Sequence, residues 1–454
     1  MPCRFSLIEG CRWLAPETLA TPRGPLNLPH RPGWSCQRLL AEGACEETLA
    51  AAAAEEGGYP AVRQLYALLF TLHERLLLCR TVALRPAAFL SSVPLSSVWR
   101  FSAGRVDAGT RHALSRFALL RPLDGRLAIE SPLALARVVL EGPEAALLVA
   151  ELARPRNAAE LSAATGLPAE AVLAALDLLA HADLLAQADG TSPALATWAF
   201  HDLLFHARSR SGRHDGGYGA TFPGRGRFAP LPALRPPGGG ETITLPRPDS
   251  AGLAAGDLPF TRVLEERRSR REFGEPPISL DRLAELLYRA ARVTRTFDGG
   301  DYEVARRVYP GGGAVHELEV YLAVGRCGGL APGLYHHRPL AHELERISGP
   351  TAEVARLLEK ARQACRAAGP VQVLVLLAAR FQRMSYKYES MAYATILKDT
   401  GVLLQTLYLV ATAMGLAACA VGGGDADCFA RAAGTDLWAE ATVGEMLVGS
   451  RSPE

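Results

Sequence analysis

Apolar positions recur at helical spacing in some stretches of the chain and alternate in others. Val62, Leu65, Leu68, Leu69 and Leu72 stand three and four apart, which predicts helix within residues 61–100. Arg126–Glu130 reads as a short strand, and residues 132–140 read as a strand or a short helix. Residues 143–152 are helical in pattern. Asn157-Ala158-Ala159-Glu160 then has the form of a capping box, with Asn157 as N-cap and Glu160 reaching back, on a helix that Gly166 can end. Pro168 at a first helical position opens a third helix, Ala169–His181. Helix, helix, tight turn and helix make a helix-turn-helix or winged-helix unit.

Beyond residue 205 the pattern dissolves. Residues 206–259 hold Gly212, Gly216, Gly217, Gly219, Gly224, Gly226 and Pro236-Pro237-Gly238-Gly239-Gly240, with arginines among them. This reads as a linker at a domain boundary. From residue 260 regular periods return: helices over 261–268 and 279–293, and an alternating strand over 316–324. A Val-rich buried strand follows over 371–377, then a long hydrophobic helix over 390–414 and a closing strand over 442–449. Helices and strands in mixed order indicate an α+β domain over 260–454. The expected organisation is a poorly defined region 1–130, for which a winged-helix-like fold is one reading, a winged-helix-like module 131–205, the linker 206–259 and the α+β domain.

Composition narrows the function classes. The chain has 454 residues, 49% hydrophobic and 21% charged, with a formal net charge of +2. That is a globular balance without a nucleic-acid footprint, and the third helix, AEAVLAALDLLA, carries no cation to meet DNA. Nine scattered cysteines form no CxxC or Cys/His cluster, so no metal site is expected and reduced thiols in a cytoplasm are. The N-terminus has no signal-peptide pattern and the most apolar stretch is broken by His73, Glu74 and Arg75, so no membrane segment is expected. Only three basic residues are lysine, Lys360, Lys387 and Lys398, which makes each lysine a less casual choice than in most chains.

Four clusters in the last domain carry candidate chemistry. Arg267-Arg268-Ser269-Arg270-Arg271 puts cations and a hydroxyl at a helix end, a combination suited to a phosphate monoester. Tyr309-Pro310-Gly311-Gly312-Gly313-Ala314 and Ala420-Val421-Gly422-Gly423-Gly424 let backbone approach a flat ligand closely. Neither is GxGxxG after a strand, so a Rossmann site is not indicated. Tyr386-Lys387-Tyr388-Glu389 sets a lysine between tyrosines before the long helix, where burial can push it towards neutrality and base chemistry. Each cluster alone also reads as solvated surface or plain loop.

Together the clusters resemble a known family. Arg267-Arg268-Ser269-x-Arg271-x-Phe273 is similar to the opening flavin-phosphate motif of nitroreductase-like FMN enzymes. The run from Tyr309 to Leu322, Pro332-Gly333-Leu334-Tyr335, Lys387-Tyr388-Glu389, the helix from Ile396 to Leu409 and Val443-Gly444-Glu445-Met446-Leu447-Val448-Gly449 resemble the SagB-type azoline dehydrogenases. The likeness extends upstream to the stretch from Trp198 to His214. It implies an α+β fold with a mixed sheet flanked by helices, and a homodimer with FMN in its interface. Arg267, Arg268, Ser269 and Arg271 would take the phosphate and ribityl end, with Arg451 as a further phosphate ligand. Pro310, Gly311, Gly312, Gly313, Gly422 and Gly423 would flank the isoalloxazine, with Gln405 also on the cofactor. Lys387 and Tyr388 would be the catalytic base and its partner. Gly312 departs from relatives that often carry serine there.

The activity the resemblance implies is oxidation of peptide thiazolines or oxazolines to azoles in ribosomal peptide natural-product biosynthesis, with dioxygen reoxidising the flavin. The implied partners are an azoline-containing precursor peptide, which the winged-helix module would bind, and cyclodehydratase components. Two alternatives stay open: an FMN-dependent nitro- or ene-reductase or other natural-product oxidase using NAD(P)H, and a flavin-free peptide-binding scaffold.

Overall fold

The computed structural model describes residues 3–29, 33–84, 87–99, 106–186 and 192–452. The chain forms two compact units, Met1–Gly216 and Gly217–Glu454.

The first unit is built on an antiparallel sheet in the order Ala44–Cys45, Arg4–Leu7, Leu78–Leu84, Ala87–Pro94, Ala136–Leu140, Arg126–Glu130 and Leu119–Leu123. Phe5 and Leu78 pack with Leu40, Leu49, Leu65, Leu68 and Leu72 of the helices Trp34–Glu42 and Glu46–Glu74. Leu90, Ile129 and Val138 pack under the helices Pro143–Glu151, Ala158–Thr165 and Ala169–His181. The helix expected within 61–100 ends at Glu74. Leu76 turns to φ +60°, and Leu78–Leu84 then pairs in the sheet. Residues 85–86 and 100 of that stretch lie outside the described residues. The capping box is present in both directions: the Asn157 side chain accepts from Glu160 N and the Glu160 carboxylate from Asn157 N, each at 2.9 Å. Gly166 ends that helix at φ +72°. Residues 132–140 resolve as the strand Ala136–Leu140, paired on both edges.

The second unit holds a seven-stranded sheet in the order Thr242–Thr244, Glu343–Ser348, Gly333–Arg338, Leu318–Val324, Val373–Arg380, Glu440–Ser450 and Leu416–Val421. The mixed sheet expected here is corrected: every pairing in it is antiparallel. The strands from Leu318 to Ser348 are joined by loops too short for a crossover, and such loops admit only antiparallel neighbours. Leu318–Val324 and Val373–Arg380 are buried at every residue. One face carries Val320, Leu322, Val373 and Val375 against the helices Leu280–Ala291 and Ala392–Ala413. The other carries Tyr321, Leu374 and Leu376 against Ala352–Cys365 and Ala426–Ala433. Two covered faces explain the near-continuous apolar runs. No single helix among the described residues is long and apolar enough to cross a membrane.

The stretch expected as a linker is not a free connection. Residues 200–208 are helical. From Gly217 onward the chain is part of the second unit, and Thr242–Thr244 is an edge strand of its sheet. Arg380 and Arg383 donate to the carbonyls of Pro232 and Leu231, so this glycine- and proline-rich segment takes its shape from buried arginines rather than from its own periodicity.

Candidate functional site

The helix Phe260–Glu266 ends at Arg267, and the extended residues after it run beside the strand Leu416–Val421, with Arg270 N donating to Ala418 O at 2.9 Å. Tyr408, from the long helix Ala392–Ala413, organises this corner. Its hydroxyl is 2.9 Å from Ser269 Oγ and accepts from Ala420 N at 2.6 Å, and the Arg267 guanidinium lies 5.4 Å above its ring. Arg267 is half-buried, while Arg268, Ser269 and Arg271 are exposed. None of the three arginines has an acidic partner among the described residues. Phe273 bridges to Arg451, the residue after the strand Glu440–Ser450, which brings that predicted residue beside the arginine segment. Gly422 and Gly423 follow directly, exposed and with open space where side chains would stand. Next to them the Glu445 carboxylate fills the space beside Gly424. Burial pushes its carboxyl up to about 7.

A second cluster forms at the other glycine run. Gly311 to Ala314 make one tight turn, with Gly313 at φ +58°. Asp399 of the long helix holds the turn from behind, its two oxygens 3.1 and 2.8 Å from Gly312 N. A Cβ on Gly312 would collide with the methyl of Thr395, so the departure to glycine at this position matches the helix behind it. In front, Lys387 Nζ donates to Gly313 O at 3.2 Å and to the Tyr302 hydroxyl at 2.9 Å. That hydroxyl itself donates to Gly313 O at 3.1 Å. A Cβ on Gly313 would run into both Lys387 Nζ and the Tyr388 hydroxyl. The structure therefore brings Lys387, Tyr388 and Gly313 together and adds Tyr302, which the sequence reading missed. Only its position in a short Gly-Asp-Tyr turn marked it.

Lys387 stands at the end of its own short helix, Phe381–Lys387, rather than at the start of the long one. It is fixed by the supposed linker. Phe222 N donates to Lys387 O at 3.0 Å, Gly224 N to Tyr386 O at 3.2 Å, and Gly219 and Glu389 exchange backbone bonds. Phe222 and Phe228 pack on Tyr386. Residues 217–228 thus clamp the lysine segment.

Beneath the turn lies a buried polar set. His316 Nδ1, both Glu317 carboxylate oxygens, and Nε and Nη2 of Arg307 are buried without a hydrogen-bond partner. Burial, then the Asp399 charge, raises the Glu317 carboxyl to about 7, and burial beside Arg307 and Arg383 lowers His316 to about 4.

The two clusters share the long helix, with Asp399 and Tyr408 separated by nine residues, roughly 14 Å of rise. Gln405 sits between them on an exposed turn. Unpaired arginines beside a serine hydroxyl fit a phosphate, and the exposed Gly422-Gly423 run, with open space where side chains would stand, fits the close approach of a flat ring system. The residues present therefore fit FMN.

Residues 264–450 match the nitroreductase family, and residues 112–215 match the cyanobactin oxidase ThcOx family. A candidate nitroreductase of Methanocaldococcus jannaschii is 28% identical over 183 residues, 40% of this chain and 85% of that protein. The trifolitoxin-processing protein TfxB of Rhizobium leguminosarum bv. trifolii is 30% identical over 143 residues, 31% of this chain and 38% of that protein. Among solved structures, a candidate nitroreductase from Ralstonia eutropha covers 49% of this chain and 95% of its own at 23% identity and TM-score 0.38. A chain of the Escherichia coli microcin synthetase McbBCD complex with truncated pro-MccB17 bound covers 55% and 91% at 21% identity and TM-score 0.35.

Proposed function

Because the chain is an oxidoreductase that joins a nitroreductase-family domain to a ThcOx-type segment and is a relative of the SagB-type azoline dehydrogenases, we propose that it oxidises thiazolines or oxazolines in ribosomally made peptides to thiazoles or oxazoles, with FMN as cofactor. The observation that carries this reading is the convergence of Lys387 Nζ and the Tyr302 and Tyr388 hydroxyls on the exposed turn at Gly313. Aromatising an azoline removes two electrons and two protons, so the site needs a base held beside the ring. FMN, when bound, supplies the two-electron acceptor.

The chain's residues divide the remaining work. Arg267, Arg268, Ser269, Arg271 and Arg451 hold the phosphate end, and Gly422, Gly423 and Pro310 to Gly313 admit the ring. Lys387 takes the Cα proton at Nζ, with Tyr388 and Tyr302 orienting the amine. Asp399 keeps the turn in place from behind. The resemblance adds a homodimer with the cofactor at its interface, peptide binding by the winged-helix-like module 131–205 and cyclodehydratase partners, and the scattered cysteines support a cytoplasmic setting.

The purified protein should be yellow and should bleach when a thiazoline peptide is added under argon, with the peptide losing about 2 Da as two hydrogens leave. Lys387→Ala should keep the colour and lose azole formation. Undiminished turnover in that variant would remove the base assignment. Bleaching by NAD(P)H alone would instead favour the reductase reading, to which the likeness to the Methanocaldococcus protein also lends itself. Colourless protein that FMN cannot reconstitute would leave a scaffold.

A further inference from the structure

A cavity of about 510 Å³ opens beside the glycine turn, between Pro310 and His316 and the hairpin formed by Val293–Asp298 and Glu303–Arg307. Its lining includes Arg295, Arg306 and Arg307 but no acidic residue. Arg295 and Arg306 stand directly opposite each other in the hairpin register. Like charges in that position destabilise a strand pair unless something neutralises them. Neither has an acidic partner among the described residues, and Arg295 lies only against the Phe297 ring, 5.3 Å from its centroid. Below them Arg307 is 8% exposed and leaves Nε and Nη2 without a partner. The hairpin's acids are engaged elsewhere. Asp298 accepts from Gly300 N at the tip, and Glu303 from Ala233 N.

We propose that this groove is an anion subsite that takes the carboxylate of an acidic residue near the azoline ring of the substrate peptide. The proposal rests on the azoline-peptide reading above. Three guanidiniums with one buried member supply charge-assisted donors for a carboxylate. Apart from the arginines, His316 and the Tyr309 hydroxyl, the walls are apolar, with Phe297 45% exposed and Pro310 beside it, which suits a peptide more than a phosphate. No serine or threonine hydroxyl lines the groove.

The test uses fluorescent azoline peptides that differ only in a Glu or a Gln next to the ring, titrated by anisotropy into the full-length protein and its Arg295→Glu, Arg306→Glu double variant. Azole formation is measured separately. The Glu peptide should bind the wild type at least tenfold more tightly than the Gln peptide. The variant should lose that preference and bind a Lys peptide better, while its flavin spectrum and circular dichroism stay unchanged. Equal binding of Glu and Gln peptides by the wild type, or an unchanged preference in the variant, overturns the subsite. So does NADPH displacing the Glu peptide and binding more tightly than it with the same arginine dependence. Arginine-dependent binding without azole formation would uphold the subsite and sink the oxidation reading. Azole formation without acid preference would do the reverse.

Discussion

At the scale of single residues, Gly313 has no tolerance. Its φ of +58° is costly for a side chain, and a Cβ there would meet Lys387 Nζ and the Tyr388 hydroxyl together. Gly313→Ala should therefore cut azole formation at least as far as Lys387→Ala; a variant with wild-type turnover would show that the lysine does not work at this turn. Glu317 gives a prediction in pH. Its carboxyl is raised from 4.5 to about 7, so between those values the native chain keeps a proton that the unfolded chain has lost. The stability this contributes is complete below 4.5 and falls as pH rises towards 7. At about 1.4 kcal/mol per pH unit the whole effect is at most roughly 3.5 kcal/mol. Glu445, also raised to about 7, acts in the same direction. Glu317→Gln should remove about half of the shared decline in urea-unfolding free energy over this window, and identical slopes in variant and wild type would contradict the burial argument.

At the scale of elements, the helix Ala158–Thr165 depends on its ends. The reciprocal bonds of Asn157 and Glu160 satisfy two amides that the first turn otherwise leaves open. Asn157→Ala should cost about 1 kcal/mol in denaturant unfolding of the intact chain, while Asn157→Ser should cost little. The strand Ala136–Leu140 has both edges occupied, by Ala87–Pro94 and Arg126–Glu130. A peptide cannot add as a strand there, so peptide binding by this module has to use another surface. In the second unit the long helix is the common support. Asp399 reaches the glycine turn, Thr395 sets what may stand at position 312, and Tyr408 ties the arginine segment to the strand Leu416–Val421.

At the scale of the whole molecule, the proposed cofactor couples to folding. A ligand held only by the native state adds about 2.7 kcal/mol at a hundredfold excess over its dissociation constant. FMN should raise the melting temperature of the flavin-stripped wild type. Arg267→Ala with Arg271→Ala should abolish that rise and release the flavin on gel filtration. Stoichiometric flavin in this double variant would move the phosphate site elsewhere.

The local grammar was legible in the chain itself. The capping box, the glycine stop at Gly166, the buried strands and the long helix depend on residues within a few positions of one another, and local geometry decides them. The glycine runs, the arginine cluster and the Lys387-Tyr388 pair were visible as residue types, and their resemblance to a family supplied a chemistry. What acts with what was not visible. Asp399 lies 87 residues from Gly312 and Tyr302 lies 85 from Lys387, and residues 217–228, which read as linker, clamp the lysine segment. The opposed arginines depend on hairpin register, and the helix expected within 61–100 yielded to sheet pairing after Leu76. These features arise only when buried polar groups and strand edges must find partners across the fold, and no local period encodes that matching.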